Sequence, residues 1–286
     1  MEKAINYIQN ETLKIYNRKY SKKYIKENIL PIINFINISG KNKFLIGGSQ
    51  GIGKSSLIKI ISNTLNKIYK KKVLSLSLDN YYLSKKQRLN LSKNKNKLLI
   101  TRGVPGTHNI KKLIDDIKKF DKSKFPIKTP LFDKLIDDVL KEKKIVKTKA
   151  DILILEGWCC GCNEINIKYL YKNINKLEKN YDYNYSWRKY YNYKLKNEYK
   201  ELFNLFDLSI FMKAPSFRYV YDWRYKQEIK NYSKSKNFKK MSINEIKFFI
   251  QHFEKITKWM IKDLNKKANL VININKDQKI FSLKIN

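Results

Sequence analysis

The run Gly48-Ser49-Gln50-Gly51-Ile52-Gly53-Lys54-Ser55 constrains this chain more than any other stretch of it. An apolar segment, Phe44-Leu45-Ile46-Gly47, leads into the run, and Leu57, Ile60, Ile61, Leu65 and Ile68 recur behind it at helical spacing. Strand, glycine loop and helix in that order match the pattern G-x-x-x-x-G-K-[ST] in full. Glycines let successive backbone N–H groups turn inward around phosphate oxygens, and the helix that follows adds the positive end of its dipole. Gly48, Ser49, Gln50, Gly51, Ile52, Gly53, Lys54, Ser55 and Ser56 are therefore expected to surround the phosphates of a nucleotide. Lys54 is expected to reach the β- and γ-phosphates, and Ser55 to ligate Mg²⁺.

Further short apolar runs at 73–78, 151–156, 207–213 and 269–274 read as strands. Helical patterns at about 110–119, 168–205, 217–230 and 242–264 separate them, with Asn109 as a candidate cap for the first. Apolar strands alternating with helices predict an α/β fold of the P-loop NTPase type: a doubly wound, mainly parallel sheet flanked by helices. A helical insertion at about 165–205 and a lid complete the expected architecture. Residues 1–38 read as two helical segments with a break near Tyr20, the second interrupted by Pro31. Residues 84–97 read as a polar loop and 121–149 as irregular. No internal repeat or strong linker is visible, so residues 1–286 are expected to form one domain, with 1–38 as N-terminal helices and 40–286 as the core.

Composition narrows the function classes. Hydrophobic residues make up 42% of the chain, and no run of 18 apolar residues is present, so a soluble globular protein is expected. The first residues lack the apolar stretch and cleavage site of a secretory leader. Cys159, Cys160 and Cys162 are the only cysteines; an odd, clustered set is a poor disulfide framework and suits a reducing, cytoplasmic setting. The formal charge of +37 raises the alternative of a nucleic-acid-binding NTPase. Its lysines are spread along the whole chain, which fits a solvated surface better than a groove. Nucleic acid is accordingly not the expected partner.

Against so much lysine, each of the six arginines draws notice, because only the guanidinium offers a planar fork. Arg102 lies in Thr101-Arg-Gly-Val-Pro-Gly-Thr-His-Asn109, beside His108; this segment is expected to hold an acceptor, with Arg102 gripping a carboxylate. Arg218 and Arg224 share a predicted helix that would serve as a cationic lid over a transferring phosphoryl group. Two carboxylates end strands. Asp79 is placed to orient or deprotonate an acceptor hydroxyl, and Glu156 to hold Mg²⁺.

The stretches GGSQGIGKSSL, SLDNYYL, RGVPGTHN, PLFDK and LILEGWCCG, with WRKYYN and SFRYVYDWRYKQE further on, resemble the D-glycerate 3-kinase family, which is related to phosphoribulokinase, uridine kinase and pantothenate kinase. The resemblance spans about residues 40–230. It implies an ATP-dependent small-molecule kinase that uses Mg²⁺ and converts D-glycerate to 3-phosphoglycerate. Another small hydroxyl acceptor of the uridine, pantothenate or ribulose-phosphate kind is the alternative. Asp79 corresponds to the family's catalytic base, Glu156 to its magnesium-associated acid, and Arg218 and Arg224 to its lid, with Lys54 and Arg224 expected to assist catalysis. Tyr82, Arg102 and His108 are expected on the acceptor side. The chain departs from the family at Asn80, where a second Asp is common, and at Val139, where a basic residue is common.

Overall fold

Alternation along each strand decides how the sheet is buried. Leu45 and Ile46 point to opposite faces of their strand, as do Leu153 and Ile154 of theirs, and all four side chains are buried. A sheet apolar on both faces needs cover on both, and the helical segments supply it. The computed structural model describes residues 1–232 and 242–286, with side chains through 226 and again from 242.

Among the described residues eight strands form: β1 (Lys43–Gly48), β2 (Val73–Ser77), β3 (Ile127–Asp133), β4 (Asp138–Val146), β5 (Ile152–Gly157), β6 (Leu208–Lys213), β7 (Leu270–Ile274) and β8 (Ile280–Ile285). Six make one sheet in the order β2-β5-β1-β6-β7-β8. All pairings are parallel except β7 with β8. One face packs Ile46, Ile154, Ile210 and Ile272 against the N-terminal helices and the helix Lys54–Tyr69. The other packs Leu45, Leu153, Phe211 and Val271 against the helix Ile110–Asp121, the helices between 167 and 203, and the helix Ile243–Lys267. The α/β, mainly parallel architecture is as expected from sequence.

Four local readings need correction. Pro31 does not interrupt its helix. The chain runs from Lys22 through a wide turn at Ile25–Ile29, where Leu30 N–H bonds to Ile25 O, directly into Leu30–Ile38. The wide turn accommodates a proline that lacks an N–H and crowds the preceding turn. Residues 84–97 are not a loop: Lys85–Asn94 is a helix, followed by the turn Lys97–Ile100. Only Arg88 of that helix is buried, so no apolar stripe advertised it. The legible sign was the capping box formed by Ser84 and Gln87.

Residues 121–149 are not irregular, since β3 and β4 form an antiparallel hairpin with a register shift near Pro130. A two-stranded ribbon tolerates that proline, and the lysine-rich, largely exposed β4 shows no clear alternation. Finally, 269–274, the last strand read from the sequence, is followed by a further one, β8, which returns antiparallel beside it.

Between 167 and 203 the expected helical segment is present. Its core holds a charged cluster: Arg188 Nε donates to Asp182 Oδ2 at 2.7 Å, and Glu178 stands 3.5 Å from Arg188 and 3.3 Å from Lys255. All four side chains are buried.

Candidate active site

The glycine loop leaves the carboxyl end of β1, which lies between β5 and β6. In β1, Gly47 pairs with Gly157 of β5. Neither has a side chain to obstruct the segment Trp158–Cys162, which folds back over the strand ends; a Cβ on Gly47 would lie 2.2 Å from Cys160 O. Gly51 takes a left-handed φ of 73° and lies against Trp223. Trp223 in turn donates its indole N–H to Lys276 O at 3.2 Å. Gln278, in the turn between β7 and β8, donates its side-chain amide to Gly51 O. Helix and turn thus hold the loop from outside.

Lys54 is buried at the base of the loop, where Nζ donates to Gly48 O at 2.7 Å and to Ser49 O at 3.0 Å. Burial lowers its pKa, opposed by the nearby carboxylates of Glu156 and Asp79. Glu156 accepts from Ser55 Oγ at 3.2 Å and from Ser77 Oγ at 2.8 Å, which aims one carboxylate oxygen at the start of the phosphate-loop helix.

Asp79 lies in the short turn Leu78–Tyr81 after β2. Both of its oxygens are engaged: Oδ1 accepts from Tyr82 OH at 2.6 Å, and Oδ2 accepts from Lys134 Nζ at 2.7 Å. Burial alone would raise this carboxyl's pKa, but the Lys134 ammonium, the Tyr82 hydroxyl and the Lys54 charge outweigh it and hold the group well below the usual carboxylate range.

A cavity of ≈ 490 Å³ joins these groups, lined among others by Gln50, Gly51, Gly53, Lys54, Ser55, Ser56, Asp79, Tyr82, Arg102, Lys134, Glu156 and Arg224. The structure therefore brings together most of the residues singled out in the sequence. Arg102 lies on the wall but is already paired with Asp137, with its guanidinium 5.7 Å from the Phe132 ring centroid. Arg224 faces the cavity and sits over Phe249.

Five expected residues do not line the cavity: Gly48, Ser49 and Ile52 of the glycine loop, Arg218 and His108. Arg218 is exposed and does not line it. His108 is buried behind Tyr82, their rings 4.8 Å apart, with Nδ1 bonded to Tyr199 OH. Burial pushes its pKa down to about 3, so it is a neutral ring that supports Tyr82 and does not reach the acceptor space. Burial also pushes the thiols of Cys159, Cys160 and Cys162 up, which leaves them as packing groups.

Sequence reasoning missed Lys134, Trp158, Trp223, Phe249, Phe253 and Gln278, all of which line the cavity. Lys134 and Trp158 sit inside recognised motifs, so a signal existed for them. Nothing local marked Gln278, which arrives with the unexpected β8 hairpin. Among the described residues no cluster of three or more His, Cys, Asp or Glu is arranged to hold a metal ion, and no helix is long and apolar enough to cross a membrane.

A phosphate loop at the carboxyl edge of a parallel sheet, sharing one cavity with strand-end carboxylates, is the arrangement of a P-loop kinase. Comparison with known proteins agrees. No family model matches the chain. It is 29% identical to the uncharacterized kinase mug58 of Schizosaccharomyces pombe, over 73% of this chain and 76% of that one. It is 27% identical to the "Probable ATP-dependent kinase TDA10" of Saccharomyces cerevisiae, over 96% and 97%. The solved structure of the protein YGR205w superposes with a TM-score of 0.72 at 25% identity, covering 90% of this chain and 98% of that one. The D-glycerate 3-kinase of Cryptococcus neoformans gives the same TM-score at 21% identity, covering 100% and 98%, and speaks to the fold. Within its class, the chain is an ATP-dependent P-loop kinase.

Proposed function

We propose that this chain, acting as one P-loop kinase domain, transfers the γ-phosphoryl group of ATP to D-glycerate and yields ADP and 3-phosphoglycerate. The observation that carries this reading is the one cavity that Lys54 and the glycine loop share with Asp79, Arg102 and Lys134. Backbone N–H groups of residues 48–56 bind the phosphates. The Lys54 ammonium, now spent on its own loop carbonyls, exchanges them for phosphate oxygens. Asp79 orients the acceptor hydroxyl. As the acceptor oxygen bonds to the γ-phosphorus, the bond to the β-bridging oxygen breaks and the hydroxyl proton passes to Asp79. Arg224 faces the same space and offsets charge on the transferring group.

Ser55 and Glu156 suit a magnesium ion. They are a hydroxyl and a carboxylate within 3.2 Å of each other beside the phosphate loop, both hard oxygen donors. Such a pair is what an ion retaining several waters and phosphate ligands requires. When bound, Mg²⁺ would neutralise charge on the phosphates; Ser55 and Glu156 would hold it. The three free, buried cysteines suit a reducing compartment, and a cytoplasmic setting belongs to the same reading.

The test is acceptor-dependent ADP release over D-glycerate, uridine, pantothenate and ribulose 5-phosphate. D-glycerate is expected to give the highest kcat/KM, and Asp79→Asn to lower kcat by roughly 10²- to 10⁴-fold. Turnover of another acceptor in preference to glycerate would refute the substrate assignment; full activity of the Asn variant would refute the role of Asp79.

A further inference from the structure

Resting on the kinase reading, we infer that Lys134 is a specificity-determining residue that exchanges Asp79 for an anionic group of the acceptor, and so restricts the enzyme to acceptors carrying a negative charge near the reacting hydroxyl. The argument begins with the occupancy of Asp79. An acceptor hydroxyl must donate to one of its two oxygens, yet Tyr82 holds one and Lys134 the other. Each oxygen keeps a second lone pair, so the hydroxyl can approach, but a carboxylate that goes on accepting from both a phenol and an ammonium is a poor proton acceptor; for the proton to pass, one of the two has to yield.

Tyr82 is poorly placed to do so. It is buried, its ring lies 4.8 Å from that of His108 and 4.9 Å from that of Phe132, and its backbone bridges to His108. Lys134 is free to move by comparison. It sits on the turn between β3 and β4, its side chain is 52% exposed, and a lysine stem has many accessible rotamers. The hydroxyl therefore takes the place of the Lys134 ammonium.

What happens to the displaced ammonium sets the selectivity. Arg102, on the same wall beside Phe132, is already committed to Asp137. Arg88, buried beneath, is committed to the same carboxylate at 2.9 Å. Lys134 is the cation on this wall whose partner must be given up when an acceptor arrives. A neutral polyol breaks the Lys134–Asp79 pair and returns nothing to the lysine. An acceptor with a carboxylate or phosphate near its hydroxyl returns a new ion pair within the lysine's reach. A ligand shifts such an equilibrium only by its differential interaction with the two arrangements, so the discrimination is built into the exchange itself. It also explains why a base held below the ordinary carboxylate range can serve: the cation that depresses it leaves as the acceptor enters.

The experiment compares kcat and KM of wild type, Lys134→Met and Lys134→Arg with D-glycerate, ribulose 5-phosphate and the neutral polyol glycerol. Wild type is expected to favour an anionic acceptor. Lys134→Met is expected to raise KM for it by roughly 10- to 100-fold, the worth of a charge-assisted hydrogen bond, with a smaller change in kcat. Its anionic-to-neutral selectivity ratio should fall, and Lys134→Arg should restore much of it. Preference for ribulose 5-phosphate would remove glycerate as substrate and still support the exchange, provided the Met variant loses that preference. A wild type that prefers glycerol, or a Met variant with unchanged KM and selectivity, would overturn the inference while leaving the kinase reading intact. If wild type turns over none of the three, calorimetry with D-glycerate and with ribulose 5-phosphate in the presence of ADP decides: Lys134-dependent binding supports the exchange, and absence of binding overturns it.

Discussion

Replacing Gly47 by alanine should damage both stability and catalysis, although nothing about Gly47's backbone demands glycine. Its φ lies outside the left-handed region; what it lacks is room. An added Cβ would sit 2.2 Å from the carbonyl oxygen of Cys160, where real Cβ contacts essentially never fall below 3.0 Å. The obstructing atom is backbone, so either the segment Trp158–Cys162 or the end of β1 must retreat by about 0.8 Å. Overpacking of this kind costs roughly 1–3 kcal/mol. For a chain of this size that lowers Tm by roughly 2–4 °C per kcal/mol. The displaced strand end is the one from which the phosphate loop departs, and a misplacement near 1 Å costs up to about 100-fold in rate. Thermal denaturation followed by circular dichroism, together with kcat/KM for ATP, measures both effects. Gly40→Ala is the control: there φ is +68° with nothing within 4 Å, so a loss of about 1 kcal/mol and no change in kcat/KM are expected. A Gly47→Ala protein indistinguishable from wild type in both measurements would refute the steric argument.

Lys54→Ala should reduce ATP turnover by roughly 10²- to 10³-fold, the worth of one preorganised donor to a developing charge; undiminished turnover would remove Lys54 from the site. Arg188→Met strands Asp182 in the core and leaves Glu178 with Lys255 alone, and should cost roughly 3–5 kcal/mol by urea denaturation, whereas the exposed Lys189→Met should be near neutral. Stability should also fall in mild acid. Burial sets the folded pKa of His108 at about 3 and of His252 at about 4, against 6.5 for the free side chain. The unfolded chain therefore takes up protons first. The stabilisation from keeping both rings neutral is complete above pH 6.5 and is lost progressively as pH falls toward those folded values. A urea midpoint unchanged between pH 7 and pH 5 would contradict this.

The parts of the fold that were legible share one property: their pattern is set by their own burial. The strand before the glycine loop, the run ending at Glu156 and the helix beginning at Lys54 are apolar because sheet and helix cover one another, and sequence shows that directly. The helix Lys85–Asn94 and the hairpin β3–β4 were hidden because they stand on long-range polar contacts. Arg88 reaches Leu83 O, Ile100 O and Asp137 O, tying that helix to the hairpin turn, and no window of neighbouring residues reveals such a tie. The same division runs through the site. Loop, Asp79 and Glu156 were visible because local motifs carry them. The contact of Lys134 with Asp79 spans 55 residues and the support of Gly51 by Gln278 spans 227, so both needed the folded chain. His108 stood out by rarity alone, and rarity did not distinguish a buried brace from a ligand contact.

The clasp on Gly51 carries a mechanical implication. Trp223 presses on that glycine from the helix Phe217–Tyr232, while Gln278 grips its carbonyl from the last hairpin. Any swing of that helix must unload one side of the nucleotide cradle, and a filled cradle must in turn resist the swing. Movement of that helix and the set of the loop would then be two readings of a single equilibrium, tunable from the bend at 275–279, whose Gln278 lines the same cavity.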